Sequence, residues 1–156
     1  MAEIYTGDKA PDFKLESSAG DTVALSDFKG RIVVLYFYPK DNTSGCRTEA
    51  CGFRDLQGDF EKAGAVILGI SPDSIKSHHN FIGKHELNFP LLSDPDKLAA
   101  EAYGVWVKKK NYGREYMGIE RSTFIVGKDG SLAHVFRKVK VDGHMDQILE
   151  IVRGMQ

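Results

Sequence analysis

The 156-residue chain contains only two cysteines, and both fall in PKDNTSGCRTEAC, residues 39 to 51. A thiol can serve as a nucleophile, a metal ligand or half of a disulfide, and spacing helps to separate these uses. Cys46 and Cys51 are too far apart for a redox C-x-x-C pair, and two cysteines cannot complete a four-thiolate metal site. Their chemistry therefore depends on the elements that carry them.

The run IVVLYFY, Ile32 to Tyr38, is apolar on both faces and is halted by Pro39, which predicts a central strand. From Thr43 the pattern turns helical: Cys46, Ala50, Phe53, Phe60 and Ala63 recur at three, four or seven residues, and Gly64 is a suitable terminator. Thr43 is the expected N-cap, its hydroxyl accepting the amide of Cys46. The Cys46 sulfur would then lie among unpaired N–H groups at the positive end of the helix dipole, a place that favours thiolate and makes sulfur nucleophilic. The same spacing also fits an inert buried cysteine packed with Phe53.

At about 100° per residue, Cys46 and Phe53 share one side of this helix, whereas Cys51 lies about 140° away, toward solvent. Five helical residues rise about 7.5 Å, beyond the roughly 7 Å that two bridged Cα atoms tolerate. A disulfide between them requires the helix to unwind, and Gly52 and Gly58 each weaken the helix interior by roughly 1 kcal/mol relative to Ala.

The remaining pattern supplies a frame for this segment. Gly20-Asp21 separates FKLES from TVALS as an N-terminal hairpin. AVILGIS is a second buried strand, followed by a helix around Ser74 to His85, a short extended PLLSD, and a helix in DPDKLAAEAYG ended by Gly104. VWVKKKNYGREYMGIERS is expected to be a long loop, with Lys108, Lys109 and Lys110 exposed and Trp106 and Tyr112 at a pocket mouth. STFIV and SLAHVFR form a hairpin through Lys128-Asp129-Gly130, and Met145, Ile148, Leu149 and Val152 mark a final amphipathic helix. Strand–helix–strand order implies a right-handed parallel crossover, and the last hairpin adds antiparallel strands. The expected class is α/β with a thioredoxin-like fold, a mixed central sheet carrying helices on both faces, in one domain spanning residues 1–156. In such a sheet ligand chemistry collects at the carboxyl end of a central strand, where Pro39 to Cys46 fall.

With 42% hydrophobic and 28% charged residues and a formal net charge of -1, the composition is that of a soluble globular chain and gives no sign of a nucleic-acid partner. No apolar run approaches the roughly 20 residues of a membrane span, and MAEIYTGDKAPDF has no hydrophobic signal core, so a cytoplasmic protein without a membrane partner is expected. In that reducing compartment paired cysteines are more often reactive thiols than permanent staples.

FYPKDNTSGCRTEACGF resembles the active-site stretch of the peroxiredoxins, in their Q-type or bacterioferritin-comigratory branch, whose P-x-x-x-T-x-x-C core stands here as Pro39, Thr43 and Cys46. YGVW, YMGIERSTFIV and the C-terminal helix extend the likeness over essentially the whole chain. The resemblance implies a thiol peroxidase, an antioxidant enzyme, with Cys46 as peroxidatic and Cys51 as resolving cysteine. It also implies Arg121 facing the sulfur and Glu49 orienting that arginine. Ser44, often Pro in this branch, and Arg47, in place of a small or Pro residue, depart from its pattern. On local pattern alone Arg121 could be an ordinary surface arginine.

The implied chemistry suits these residue types. Thiolate attacks one peroxide oxygen while hydroxide or alkoxide leaves, so donors must surround the breaking bond; Thr43, Arg121 and the amides of Gly45 and Cys46 can supply them, with Pro39 covering the pocket. Cys46 becomes a sulfenic acid, condenses with Cys51 to an intramolecular disulfide, and is restored by thioredoxin or glutaredoxin, with no metal or organic cofactor. The expected substrates are hydrogen peroxide and small organic hydroperoxides, and the expected assembly is a monomer or a weak homodimer. The alternatives are a thioredoxin-like disulfide oxidoreductase, which normally spaces its cysteines by two, and a non-enzymatic redox sensor, which differs in lacking turnover. A cysteine-protease reading would need a histidine base beside Cys46 that no feature supplies. His78, His79 and His85 are expected on a solvated helix face.

Overall fold

The computed structural model describes residues 4–155; the first three residues of MAEIYTGDKAPDF lie outside them. Its backbone follows from the strands that can bury both faces. β3 (Ile32–Phe37) is buried along its whole length. Ile32, Val34 and Tyr36 enter one core, while Val33, Leu35 and Phe37 enter the other. Alternation with period two sends successive side chains to opposite faces, so a strand apolar at every position must sit between two layers. Burying such side chains contributes about 1.5–3 kcal/mol each relative to leaving them exposed.

β3 pairs in parallel with β4 (Ala65–Ser71), and β4 in parallel with β5 (Leu91–Ser93). β1 (Lys14–Ser17) and β2 (Thr22–Ala24) form the expected N-terminal hairpin, which joins the sheet as β1 pairs antiparallel with β5. On the other side β8 (Ser122–Val126) pairs antiparallel with β3 and carries β9 (Leu132–Phe136). The order is β2-β1-β5-β4-β3-β8-β9, the mixed sheet anticipated from the sequence.

Helices cover both faces. α1 (Ser44–Lys62), α2 (Ile75–His85) and α4 (His144–Arg153) contribute Phe53, Phe60, Phe81, Met145 and Ile148 to one core. α3 (Leu98–Ala102), with a 3-10 turn at Leu25–Phe28, closes the other core through Ala99, Ala100 and Leu25. Ser74 caps α2 by accepting the Ser77 amide, and Gly64, at φ 80°, takes the left-handed position just after α1.

Three sequence expectations are corrected here. Residues 106–119 are not a loop: β6 (Trp106–Asn111) and β7 (Arg114–Ile119) pair as a separate two-stranded sheet, so Lys108, Lys109 and Lys110 lie on a strand. The reversal is Tyr112-Gly113, both at positive φ, a two-residue hairpin turn without the Asn-Gly or Asp-Gly pair that usually signals one. His78 does not face water but is fully buried, whereas His79 is exposed. Neither Trp106 nor Tyr112 lies at the groove beside Arg121. Trp106 packs against the α3-side core with Lys97 over its ring, and Tyr112 points out at the hairpin tip, 98% exposed.

Candidate active site

The cysteine segment begins where β3 ends. Tyr38 still follows the sheet, donating its amide to Ile70, before Pro39 to Thr43 turn the chain into α1. The first backbone bond of α1 runs from the Arg47 amide to the Thr43 carbonyl, which leaves the amides of Ser44, Gly45 and Cys46 outside the helical ladder. The Cys46 side chain, 1% exposed, occupies that helix start above Phe53, as the spacing predicted.

Thr43 stands at the N-cap position, but its hydroxyl makes no cap bond; it donates to the Lys40 carbonyl at 2.9 Å. The expected Thr43 cap on the Cys46 amide is thus corrected. The hydroxyl proton is committed within the turn, the amide stays free for another acceptor, and the oxygen keeps its lone pairs.

Arg121 reaches the sulfur because β8 is antiparallel to β3. Ser122 pairs with Phe37, so the residue before β8 falls beside the carboxyl end of β3, next to the start of α1. Its Nη2 donates to Cys46 Sγ at 3.2 Å, and its Nη1 donates to Glu49 Oε1 at 2.6 Å. Glu49 lies on the same side of α1, one turn beyond Cys46, and is completely buried. Burial pushes its carboxyl up to about 7, against the pull of Arg121, and the Glu49 and Cys46 charges hold the arginine above its ordinary value despite its own desolvation. Gly45 supplies clearance as well as an amide, since a Cβ there would come within 3.1 Å of Arg121 Nη2.

Pro39 is half-buried at the strand end. Cys51 is also half-buried, and both thiols are free in an unbroken helix. The geometry therefore brings together Cys46, Arg121, Glu49, Gly45 and the Thr43 turn, and leaves Cys51 around the helix. Beside Arg121 runs a groove lined by Lys109, Tyr116, Lys138 and Val139. Burial and the adjacent Arg121 charge lower the Lys109 ammonium. Sequence reasoning missed Lys109 and Tyr116 because KKKNYGREY is polar almost throughout and reads as loop, so no local periodicity marks the strands that carry them.

The AhpC/TSA family model matches residues 6–135. The peroxiredoxin Bcp of Bacillus subtilis is 53% identical over 152 residues, covering 97% of each chain. Among solved structures, the PrxQ of Xylella fastidiosa superposes with a TM-score of 0.93 at 38% identity, covering 99% of this chain and 98% of that one. The bacterioferritin comigratory protein of Xanthomonas campestris, seen in trapped intermediate and ligand complexes bearing on its alkyl peroxide reduction activity, gives 0.90 at 42% identity over 96% and 98%. Fold and relatives together define a peroxidase of the peroxiredoxin class, built on the thioredoxin fold. Such an enzyme takes a peroxide substrate and needs a reductant partner. The chain belongs to the AhpC/TSA family, in its bacterioferritin-comigratory, Q-type branch.

Proposed function

We propose that the chain reduces hydrogen peroxide and small organic hydroperoxides, with Cys46 as the attacking sulfur and Cys51 as its resolving partner. The observation that carries this reading is the 3.2 Å contact from Arg121 to Cys46 Sγ, with the rest of the guanidinium fixed by Glu49. A guanidinium fixed beside the sulfur holds donors toward the place where a peroxide oxygen must lie during attack.

In the first step the Cys46 thiolate forms an S–O bond to the terminal peroxide oxygen while the O–O bond breaks. Cysteine is oxidised to sulfenic acid, and the other oxygen leaves as hydroxide or alkoxide and takes up a proton. Arg121 and the free amides of Gly45 and Cys46 stabilise the charge that moves onto oxygen. The Thr43 hydroxyl, with its own proton on Lys40, accepts the peroxide O–H. Pro39 shields the turn from water. In the second step the Cys51 thiol displaces water from the sulfenic acid to give an intramolecular disulfide, and in the third thioredoxin or glutaredoxin reduces it by thiol exchange.

Among the described residues no helix is long and apolar enough to cross a membrane; action in the cytoplasm is part of the proposal. Residues 1–156 act as one domain, a monomer or a weak homodimer. Steady-state peroxide consumption with thioredoxin or glutaredoxin, together with peptide mapping of the oxidised chain, tests the reading. Turnover with one of these reductants and a Cys46–Cys51 linkage are expected; a folded protein that consumes no peroxide with either would overturn it.

A further inference from the structure

We propose that Asp41 and His78 are positioning residues for the peroxide reaction, a buried clamp that fixes the Pro39–Thr43 turn against β4, α2 and β5. The proposal rests on the assignment of Cys46 as the attacking sulfur.

Asp41 lies in the middle of that turn yet is only 5% exposed, and His78 is fully buried. Asp41 Oδ2 accepts from His78 Nδ1 at 2.7 Å and from the Ser77 hydroxyl at 2.8 Å, and Oδ1 accepts from the Tyr38 hydroxyl at 2.6 Å. The Asp41 amide donates to Asp73 Oδ2 at 2.7 Å, and that oxygen also accepts from Ser71. His78 Nε2 meets the Leu92 carbonyl at 2.9 Å. Both imidazole nitrogens and both Asp41 oxygens thus have partners, the condition under which buried polar side chains are tolerated.

Asp41, Asp73 and His78 lie close enough together to suggest a cation site. Their contacting oxygens already accept from hydroxyl, amide and imidazole donors, so the cluster has the chemistry of a hydrogen-bonded anchor. The next residue, Asn42, is held at φ 63°, a left-handed conformation that persists where the surroundings enforce it. Thr43 follows at once, with its hydroxyl on Lys40 inside the same turn. The clamp thereby sets where Thr43 and the first amides of α1 lie relative to Cys46, and small displacements of such groups slow a reaction steeply.

The test compares wild type, Asp41→Asn, Ser77→Ala and Ser77→Thr in single-turnover oxidation by hydrogen peroxide, read as sulfenic acid trapping, beside alkylation of Cys46 by iodoacetamide. Alkylation needs the thiolate but not the peroxide geometry. Oxidation should slow about tenfold or more in Asp41→Asn and about threefold in Ser77→Ala, with alkylation unchanged within about twofold, and Ser77→Thr, which keeps the hydroxyl, should match wild type. If Asp41→Asn does not fold, the serine pair decides alone. Oxidation at the wild-type rate in folded Asp41→Asn or in Ser77→Ala, or equal losses in oxidation and alkylation, overturns the clamp. A wild type that peroxide does not oxidise at Cys46 overturns the assignment beneath it as well.

Discussion

The end of the Met145 side chain occupies the space that any side chain at position 52 would need. Gly52 faces α4 across α1, and a Cβ built there overlaps the methyl of Met145, a residue 8% exposed. Gly58, the other interior glycine considered as a weak point, has no heavy atom near its missing Cβ. The two glycines thus do different work. Gly58 only softens the helix, whereas Gly52 also lets α4 seat on the turn that carries Cys51.

This contact predicts a reversal of sign in a double-mutant cycle. Gly52→Ala gains about 1 kcal/mol of helix propensity but loses roughly 1–3 kcal/mol to overpacking, so the variant should be less stable than wild type by up to about 2 kcal/mol. In a Met145→Ala background the space is vacant and the same change should stabilise. Urea denaturation of the four proteins measures this; a stabilising Gly52→Ala in both backgrounds would show that the contact does not matter.

Glu49 predicts a pH dependence. Its folded value of about 7 lies above 4.5, the ordinary value, so the folded chain keeps a proton that the unfolded chain releases. The stability this contributes is complete below 4.5 and is lost as pH rises to 7, by at most about 1.4 kcal/mol per pH unit. The stability difference between wild type and Glu49→Gln should follow that slope and flatten above 7. A difference that stays level from pH 4.5 to 7 would contradict it.

At the reacting centre, Cys46→Ser should abolish peroxide consumption, since no other described thiol lies at a helix start. Arg121→Ala should slow oxidation by roughly 10²–10³ without stopping it, because the free amides and the helix dipole remain. Stopped-flow oxidation distinguishes the two. Near-normal activity in Cys46→Ser would remove that sulfur from the mechanism.

Cys51→Ser should consume one equivalent of peroxide, stop at the sulfenic acid and pass to sulfinic acid under excess peroxide. In the wild type, disulfide formation should raise amide exchange around Ala50 to Phe53 while β3 stays protected. A helix equally protected in both redox states would point to a disulfide between two chains.

The sheet was legible in the sequence because its strands are either apolar throughout, as in IVVLYFY and AVILGIS, or bounded by clear turns. The β6–β7 hairpin was not. Its exposed residues alternate only weakly, and its Tyr-Gly turn lacks the usual signature. The side on which Cys46 and Phe53 lie followed from helical periodicity, whereas Glu49 was indicated only by the family likeness, and the contact with Arg121 depends on antiparallel register between strands more than eighty residues apart, which no local pattern encodes. His78 misled for the opposite reason. A histidine among polar neighbours reads as solvated, and only the return of Asp41 from a distant turn makes its burial tolerable.

The sulfur and its arginine are attached to parts of unequal durability. Arg121 adjoins β8, laced to β3 in the middle of the sheet, whereas Cys46 sits in the first turn of a helix that, in the proposed cycle, would have to open for Cys51 to reach it. In that cycle opening would carry the oxidised sulfur away from the arginine beside it. The step proposed to resolve the sulfenic acid would then also take apart the site that accelerates a second oxidation, and the balance between turnover and irreversible damage would be set by how readily a few helical residues let go.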